Sequence, residues 1–427
     1  MQTRPSDLRE PAWLSDYREA QGAHFKEHGL PQPRLENWKY TALRMLEQHE
    51  FRSPDPVSVL QPEDLPDLAV PGARWRVVFV NGRFSSALSL LDDLPDGVRV
   101  DSLAELDEAD LESLRQDIVQ DFARPDEALA ALCAADAVDG LVLRAEAGAR
   151  AEQPIHVLHL SLGQDGPVLH NQRDIVHLAA GARVTIIEHH RSLGGSGNFS
   201  NRLATIRLAE NSHLGQLRLQ QMGDPDYLVT RQDCEQAAGS HLDYIGFDLG
   251  GRLVRHDLNC RLAEPEAKAT LCGVYALDGK RHVDNHTRVD HVAPQTASEE
   301  LFKGVLDGRA RAVFNGKVVV HEGADGTDAA QTNKNLLLSP HAEVDTKPEL
   351  VIYADDVKCA HGATVGQLDE LQLFYLRTRG LPEPEARALL TFGFCREVVD
   401  RVDNFDLESY LTGQLVDHLP AGQAMRK

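Results

Sequence analysis

The chain has 427 residues, of which 42% are hydrophobic and 26% charged, so an ordinary globular protein of two or three domains is expected. Aspartate and glutamate (66) outnumber lysine and arginine (44), which gives a formal net charge of −22. A surface this negative repels phosphates and anionic headgroups, so neither nucleic acid nor bare membrane is an expected partner. No apolar run is long enough to span a bilayer and no secretory signal is evident, so we expect a cytosolic protein.

Residues 1–136 predict an N-terminal domain of mixed, mainly helical structure. Apolar residues follow helical spacing at 7–27, and the same spacing returns at 105–119 and 125–133. Between these segments, the β-branched run at 75–80 predicts a strand, and Asn81-Gly82 directly after it predicts a tight turn.

From about residue 139, short alternating strands repeat around a shared turn. The turn residues recur at intervals of 33, 30 and 28, at Gly148, Gly181, Asn211 and Gly239. The segments 337–344, 262–269 and 292–298 look like further copies. A period near 30 with strands and little helix favours a parallel β-helix over residues 137–362, with positive-φ residues at its corners. A β-sandwich with meander turns would alternate in the same way, so both architectures stay open on the repeat alone.

The pattern becomes helical again in residues 363–427. Residues 369–379 show helical spacing and are followed by Gly380, a typical residue at a helix C-terminus. Pro382 and Pro384 open a second helix, and a third follows Asp403-Asn404. We expect these helices to cap the solenoid, to offer a docking surface, or both.

Two histidine patterns are candidates for metal sites of the isolated chain. His282 and Asp284 share one strand face, and with the distant His321 they mimic the two-histidine, one-carboxylate set of non-haem iron oxygenases. The alternative is a polar, solvated face of the solenoid. His189 and His190 are adjacent and therefore point to opposite faces of a strand, so we expect satisfied surface histidines there rather than one chelating pair.

Acids and thiols give weaker signals. Asp355 and Asp356 would suit the calcium site of a pectate-lyase-like β-helix, but adjacent side chains again diverge. The cysteines include no CxxC pair, which zinc ribbons and ferredoxin-type clusters need, so we expect five of the six to be buried structural thiols. They are Cys133, Cys234, Cys260, Cys272, Cys359 and Cys395.

A long C-terminal stretch resembles the signature of the SufB/SufD family of iron–sulfur cluster assembly scaffolds. LVIYADDVKCAHGATVG at 350–366 carries the resemblance, followed by the helical segments LFYLRTRGL and ALLTFGFCREVV. Earlier segments agree in order, so the resemblance covers nearly the whole chain: 34–43, 79–85, 139–157, 283–320 and 331–352. Gly362 stands where SufB proteins carry an acidic residue after the histidine, and with the chain length this indicates the SufD branch.

The resemblance implies a mainly β fold, a right-handed parallel β-helix core between helical terminal domains, and a non-catalytic scaffold subunit. It implies a heterodimer with a SufB-like subunit through strands near the end of the core, and a transient iron–sulfur cluster shared at that interface. The ligand that it implies on this chain is His361. Cys359 lies on the same strand face, either as a second ligand or as a structural thiol supporting His361.

The resemblance further implies that a SufC-like ATPase docks on the C-terminal helices. Candidate docking residues are the apolar and aromatic side chains there: Leu373, Phe374, Leu376, Leu389, Phe392 and Phe394. No GxxxxGK[ST] loop is present, so ATP is not expected to bind this chain. Binding of reduced flavin (FAD) by the complex, a homodimer of the isolated chain, and a purely structural role beside SufB stay open.

Overall fold

The computed structural model describes residues 10–55, 60, 61, 63, 65, 68–420 and 422. The described residues form eight α-helices, which lie before and after the run of strands β4–β19 given below: α1 (Ala12–His28), α2 (Arg44–Glu47), α3 (Glu108–Ser113), α4 (Arg115–Ile118), α5 (Ala128–Asp136), α6 (Glu370–Thr378), α7 (Glu383–Val399) and α8 (Phe405–His418). None of these helices has the length and apolar content that crossing a bilayer requires.

The described part of the chain contains nineteen strands: β1 (Trp75–Val80), β2 (Arg83–Phe84), β3 (Val98–Ser102), β4 (Leu141–Ala145), β5 (Ile155–Leu162), β6 (Leu169–Leu178), β7 (Arg183–Leu193), β8 (Phe199–Leu208), β9 (His213–Gln221), β10 (Tyr227–Gln236), β11 (His241–Asp248), β12 (Leu253–Leu262), β13 (Lys268–Leu277), β14 (His282–His291), β15 (Ala297–Leu306), β16 (Arg311–Val320), β17 (Thr327–Leu337), β18 (Glu343–Ile352) and β19 (Val357–Gly366).

From β4 onward, successive strands alternate between two sheets, so the chain winds as a parallel β-solenoid of about eight turns. The first sheet has the order β19-β17-β15-β13-β11-β9-β7-β5-β1-β2, and the second has the order β18-β16-β14-β12-β10-β8-β6-β4-β3. The mainly β fold and the β-helix prediction are therefore confirmed. The sandwich alternative is wrong, because each core strand pairs in parallel with the strands two places away in sequence, as in β10 with β8 and β12.

The N-terminal strands extend these two sheets. Trp75–Val80 forms β1 as predicted, and Asn81 (φ 46°) and Gly82 (φ 75°) make the tight turn into β2. β1 also pairs in parallel with β5, and β3 pairs antiparallel with β4. The helical segment predicted at 7–27 corresponds to α1, with residues 7–9 outside the described part of the chain. The division into domains at 136/137 and 362/363 stays a prediction.

The predicted corner residues form one stacked column. Gly148, Gly181, Asn211 and Gly239 have φ values of 74°, 70°, 56° and 61°. Backbone hydrogen bonds link successive corners, as from the Asn211 N–H to the Ala238 carbonyl. We predicted that the segment 337–344 belongs to the same column, and this prediction is wrong. The Ser339 hydroxyl donates to the Gly308 carbonyl, and this places the segment at the opposite corner, where the chain passes from the first sheet to the second.

The C-terminal helices α7 and α8 pack on the outer face of the first sheet. Their apolar residues share one buried cluster with β13 and β15: among them Cys272, Val274, Leu301, Val305, Cys395, Val398 and Leu411. Lys303, which is almost fully buried, donates to the Phe394 carbonyl at 2.8 Å and pairs with Glu397 at 2.5 Å. These contacts fix α7 and α8 to the solenoid and leave α6 outside the cluster.

Candidate functional site

The two candidate cluster ligands lie on the last strand of the solenoid. On β19, Cys359 pairs with Ala329 and His361 pairs with Gln331 of the preceding strand in the first sheet. Ala329 and Gln331 are buried inside the solenoid, so the alternation of side chains puts Cys359 and His361 on the same, inward-facing side of β19. Cys359 is half-buried and packs against the central apolar cluster, whereas His361 is exposed.

His361 is exposed because the solenoid ends open at this point. β18 and β19 are the terminal strands of their sheets, and no strand of the described residues covers them. Ile352 (41% exposed) and Val365 (49%) are accessible at this end, although Val320 and Asn335, their partners in the preceding turn, are buried. Tyr353, in the corner after β18, is 67% exposed. The end therefore presents the His361 imidazole beside unpaired strand edges and apolar side chains.

The six docking candidates divide by exposure. Leu373 is buried, Leu376 is half-buried, and Phe392 and Phe394 are half-buried against the cluster that joins α7 and α8 to the solenoid. Phe374 (65% exposed) and Leu389 (41%) are accessible.

Two more exposed side chains on α6 were missed, Leu371 (78%) and Tyr375 (56%). With Phe374 they have the i, i+3, i+4 spacing of one helix face, and this signal in the sequence could have found them. We call Leu371, Phe374 and Tyr375 the α6 patch.

The oxygenase-type set is not assembled. His282, at the start of β14, contacts the Thr41 hydroxyl at 2.9 Å. His321 directly follows β16. Its backbone N–H donates to the carbonyl of His291 at the other end of β14, and its ring nitrogen lies 2.9 Å from an Asp290 oxygen. A ten-residue strand is about 30 Å long, so His282 and His321 cannot share an ion.

The carboxylate of Asp284, the acid of that set, is already paired with other side chains. The Arg255 guanidinium donates to Asp284 at 2.7 Å, and Thr41 donates at 2.5 Å. Burial opposes ionisation of Asp284, but the His286 imidazole and Arg255 outweigh it and hold the pKa of the carboxyl below its ordinary value. Asp284 is therefore an ion-pair partner that ties the segment around Thr41 to the solenoid.

His189 and His190 are both buried, so the prediction of surface histidines is wrong. His190 faces the solenoid interior and stacks on His159 with ring centroids 4.9 Å apart. His159, His190 and Glu188 form the one group in the described part of the chain whose ligand atoms approach closely enough to suggest a metal, within 4.8 Å of one another. Burial holds the pKa of both imidazoles well below the ordinary value, so both are neutral.

An arginine already occupies this histidine cluster. The Arg202 guanidinium lies 3.0 Å from His190 Nε2 and 3.0 Å from a Glu188 oxygen. It also donates to Asp174. The cluster is thus an internal ion-pair network in which a guanidinium supplies the positive charge. Sequence alternation could not find it, because it does not tell which polar face of a solenoid strand points inward.

The thiols follow the prediction. Five cysteines are buried and only Cys359 is partly exposed, as the sequence indicated for five of the six. Asp355 and Asp356 are exposed in the turn between β18 and β19 and belong to no metal-binding group of three among the described residues. The calcium-site alternative therefore has no structural support.

Two family profiles match this chain. The SufBD core domain of SUF system FeS cluster assembly matches residues 161–394, which is more than half of the chain, and the SufBD protein N-terminal region matches residues 7–157. The iron–sulfur cluster assembly protein SufD of Escherichia coli is 34% identical over 411 residues, covering 92% of this chain and 90% of that protein.

Two further relatives agree with this assignment. An iron–sulfur cluster assembly SufBD family protein of Synechocystis is 33% identical over 391 residues, covering 90% of this chain and 86% of that protein. The chloroplastic protein ABCI7 of Arabidopsis thaliana is 29% identical over 339 residues, covering 77% of this chain and 70% of that protein. The chain with the open strand end and the exposed His361 thus belongs to the SufBD family of iron–sulfur cluster assembly proteins.

Proposed function

We propose that this chain is the SufD-type subunit of a cytosolic SufBCD scaffold, in which His361 is one ligand of a nascent iron–sulfur cluster shared with a SufB-like subunit. The observation that carries the proposal is the exposed imidazole on the uncovered last turn of the solenoid. The chain itself performs no catalysis and binds no ATP. The SufC-like partner supplies ATP hydrolysis.

The ligand set on this chain is incomplete. Iron–sulfur clusters are held by four protein ligands, usually thiolates, with histidine in some centres. On the inward face of β19 the candidate ligands are His361 and, two positions earlier, Cys359. Burial raises the pKa of the Cys359 thiol, and its packing on the interior cluster suits a thiol that supports His361. The remaining ligands must come from a partner, which makes the cluster easy to release.

The terminal strands are suited to receive that partner. A terminal strand presents a row of unpaired N–H and C=O groups, which pair with a strand from another chain. The exposed Ile352, Tyr353 and Val365 lie at the same end and would be buried by such pairing. A SufB-like strand added here would bring its own ligands next to His361. A second copy of this chain could use the same edges when SufB is absent.

The α6 patch is the proposed docking surface for the SufC-like ATPase. α7 and α8 are packed on the first sheet, while α6 lies outside their cluster and begins only a few residues after β19. A displacement of α6 when the ATPase dimerises would therefore pull on β19 and on His361. This coupling would open and close the shared site with the ATP cycle.

Co-expression with SufB-like and SufC-like chains tests the ligand role. The wild-type complex should contain iron and acid-labile sulfide, and His361→Ala should assemble normally but lose most of both. His341→Ala, at an exposed histidine in a corner, is the matched control and should keep the full content. Full cluster content in the His361→Ala complex would show that the chain has a purely structural role. Titration of the complex with reduced FAD tests whether flavin supplies electrons.

Docking is tested separately. Phe374→Asp in the α6 patch should abolish co-purification of the ATPase without changing the thermal stability of the chain, because the side chain is 65% exposed. Leu90→Asp, at another exposed apolar residue (54%), should keep the ATPase bound. Retention of the ATPase by Phe374→Asp would rule out the α6 patch.

A further inference from the structure

A column of three polar side chains runs from the solenoid interior to its open end. Glu300 on β15 pairs in register with Gln331 on β17, and Gln331 pairs with His361 on β19. Glu300 and Gln331 are each only 1% exposed. Side chains in one column of a parallel sheet lie about 4.8 Å apart, so Gln331 is the direct neighbour of His361 on the interior side.

Three atoms of this column are buried without a hydrogen bond to another described protein group: Oε1 and Nε2 of Gln331, and Oε1 of Glu300. Burial raises the pKa of the Glu300 carboxyl, and Gln331 lies close enough to oppose part of that rise, although the pair does not meet hydrogen-bond geometry. Buried amides and carboxylates are nearly always hydrogen-bonded, so an unpartnered group calls for a functional explanation.

The solenoid makes room for the Gln331 side chain. Gly316 of β16 lies opposite, and a Cβ atom at that position would come within 2.3 Å of Gln331 Nε2. The residue paired with Gly316 in the last turn is Pro348, which has no polar side-chain atom to offer His361.

The nearby polar side chains are already paired. Thr287 donates to the other oxygen of Glu300 at 2.5 Å, and Asn333 and Asn335 bond to Tyr275 and to each other. Gln331 is therefore the unpartnered polar side chain in register beside His361, whereas the unpartnered hydroxyl of Thr346 at this end lies on β18 of the second sheet.

We propose that Gln331 is the positioning residue for His361, held in orientation by Glu300. The Gln331 Nε2–H donates to the free oxygen of Glu300, and Gln331 Oε1 accepts the N–H of one imidazole nitrogen. This leaves the lone pair of the second imidazole nitrogen facing the open end, where iron would bind. Histidines that ligate metals generally donate their other N–H to an oxygen in this way, which fixes the tautomer and the ring orientation. The inference rests on the ligand role proposed for His361.

The tautomer of His361 tests this role directly in the full chain without partners. Nitrogen-15 NMR of the neutral imidazole, assigned by comparison with His361→Ala, should show one dominant tautomer in the wild type. Gln331→Met has nearly the same size but no acceptor, and it should show a mixture of both tautomers. Gln331→Leu replaces it if the methionine variant does not fold. Thr346→Val, which removes a buried hydroxyl of β18 at the same end, is the control and should keep the wild-type tautomer.

The assembled complex gives the second measurement. Gln331→Met should bind iron about 10-fold to 100-fold more weakly than the wild type, which is the usual effect of removing the acceptor behind a histidine ligand. An unchanged tautomer and unchanged iron affinity in Gln331→Met would overturn the inference. Full cluster content in His361→Ala would instead overturn the ligand role itself, and a tautomer change in Gln331→Met would still be measurable in that case.

Discussion

Exposure separates Cys359 from the other five thiols of the described structure. Burial raises the pKa of Cys133, Cys272 and Cys395 to about 12, so these thiols are both inaccessible and protonated at neutral pH. Burial also raises the pKa of Cys359, but this thiol is only partly covered. Since the thiolate is the reactive form, the two groups should differ strongly in alkylation rate.

We expect iodoacetamide to label one thiol of the native isolated chain quickly, and faster at pH 9 than at pH 7. Cys359→Ser should remove this fast phase, and denaturant should expose all six thiols. Mass spectrometry of the labelled peptides checks the assignment. Rapid labelling of a second cysteine in the native protein would contradict the burial described above.

Glu300 should make the stability of the fold depend on pH. Burial raises the pKa of its carboxyl from 4.5 to about 7. Between these values the folded chain binds more protons than the unfolded chain, so the free energy of unfolding falls as the pH rises. The loss amounts to about 3 kcal/mol at most once the pH exceeds 7.

Glu300→Gln should remove this part of the pH dependence. Relative to the wild type, its free energy of unfolding should therefore rise between pH 5 and pH 8. Urea denaturation at several pH values measures it, with the exposed Glu322→Gln as the control. Parallel curves for Glu300→Gln and the wild type would show that Glu300 titrates normally.

For single residues, the sequence predicted the side-chain orientation correctly where the family resemblance singled out the residue. His361 and Cys359 were expected on one strand face, and they lie on one. The interior group around Arg202 and His190 was missed, and so was Gln331. A polar residue on a solenoid strand has the same alternation whether it faces solvent or the interior, so its partners emerge only when the turns are stacked.

The turns at the corners of the solenoid set the direction of the chain from one strand to the next. Asn211 adopts φ 56°, and its N–H bonds to the next corner at Ala238. This left-handed conformation costs a β-branched residue about 1–2 kcal/mol, whereas glycine adopts it freely. Asn211→Val should therefore lower the free energy of unfolding by about 1–2 kcal/mol, and Asn211→Gly should stay close to the wild type. Denaturant titration measures both, and equal losses in the two variants would contradict the corner assignment.

Lys303 joins α7 to the solenoid. It is buried, and its ammonium binds the Phe394 carbonyl and Glu397. Lys303→Met keeps the packing of the side chain but leaves these acceptors without their donor, at a cost of about 1–3 kcal/mol.

Lys334→Met is the matched control for this position. Lys334 is 41% exposed and lies 3.8 Å from the same Glu397 carboxylate, so its loss should cost less than about 0.5 kcal/mol. Thermal unfolding and limited proteolysis of α7 compare the two variants. Equal effects of both substitutions would show that Lys303 does not anchor the helix.

Element bounds were largely predictable where local chemistry marks them. The strand at 75–80, its Asn81-Gly82 turn and the three C-terminal helices all match the structure. The segment 337–344 was placed at the wrong corner because both corners of a two-sheet solenoid use similar turn residues. The corner that a turn occupies depends on which of the two sheets holds the strand before it. The number of strands between two turns cannot be read from a repeat whose spacing varies.

The two ends of the whole molecule differ. At the N-terminal end, β2 and β3 pair antiparallel with β1 and β4 and so terminate the two sheets with reversed strands. At the C-terminal end, β18 and β19 are left unpaired on their outer side by the described residues. The uncovered end also carries the exposed apolar residues and His361, which is why we propose it as the site of partner binding.

We propose that this chain supplies one part of an iron–sulfur site which a partner completes. The most direct measurement is iron and acid-labile sulfide per chain, determined in parallel for the isolated protein and for its complex with SufB-like and SufC-like chains after anaerobic reconstitution. We expect a bound cluster in the complex, little in the isolated chain, and a loss in the His361→Ala complex. A stable, stoichiometric iron–sulfur cluster on the isolated chain would show that no partner is needed to complete the site.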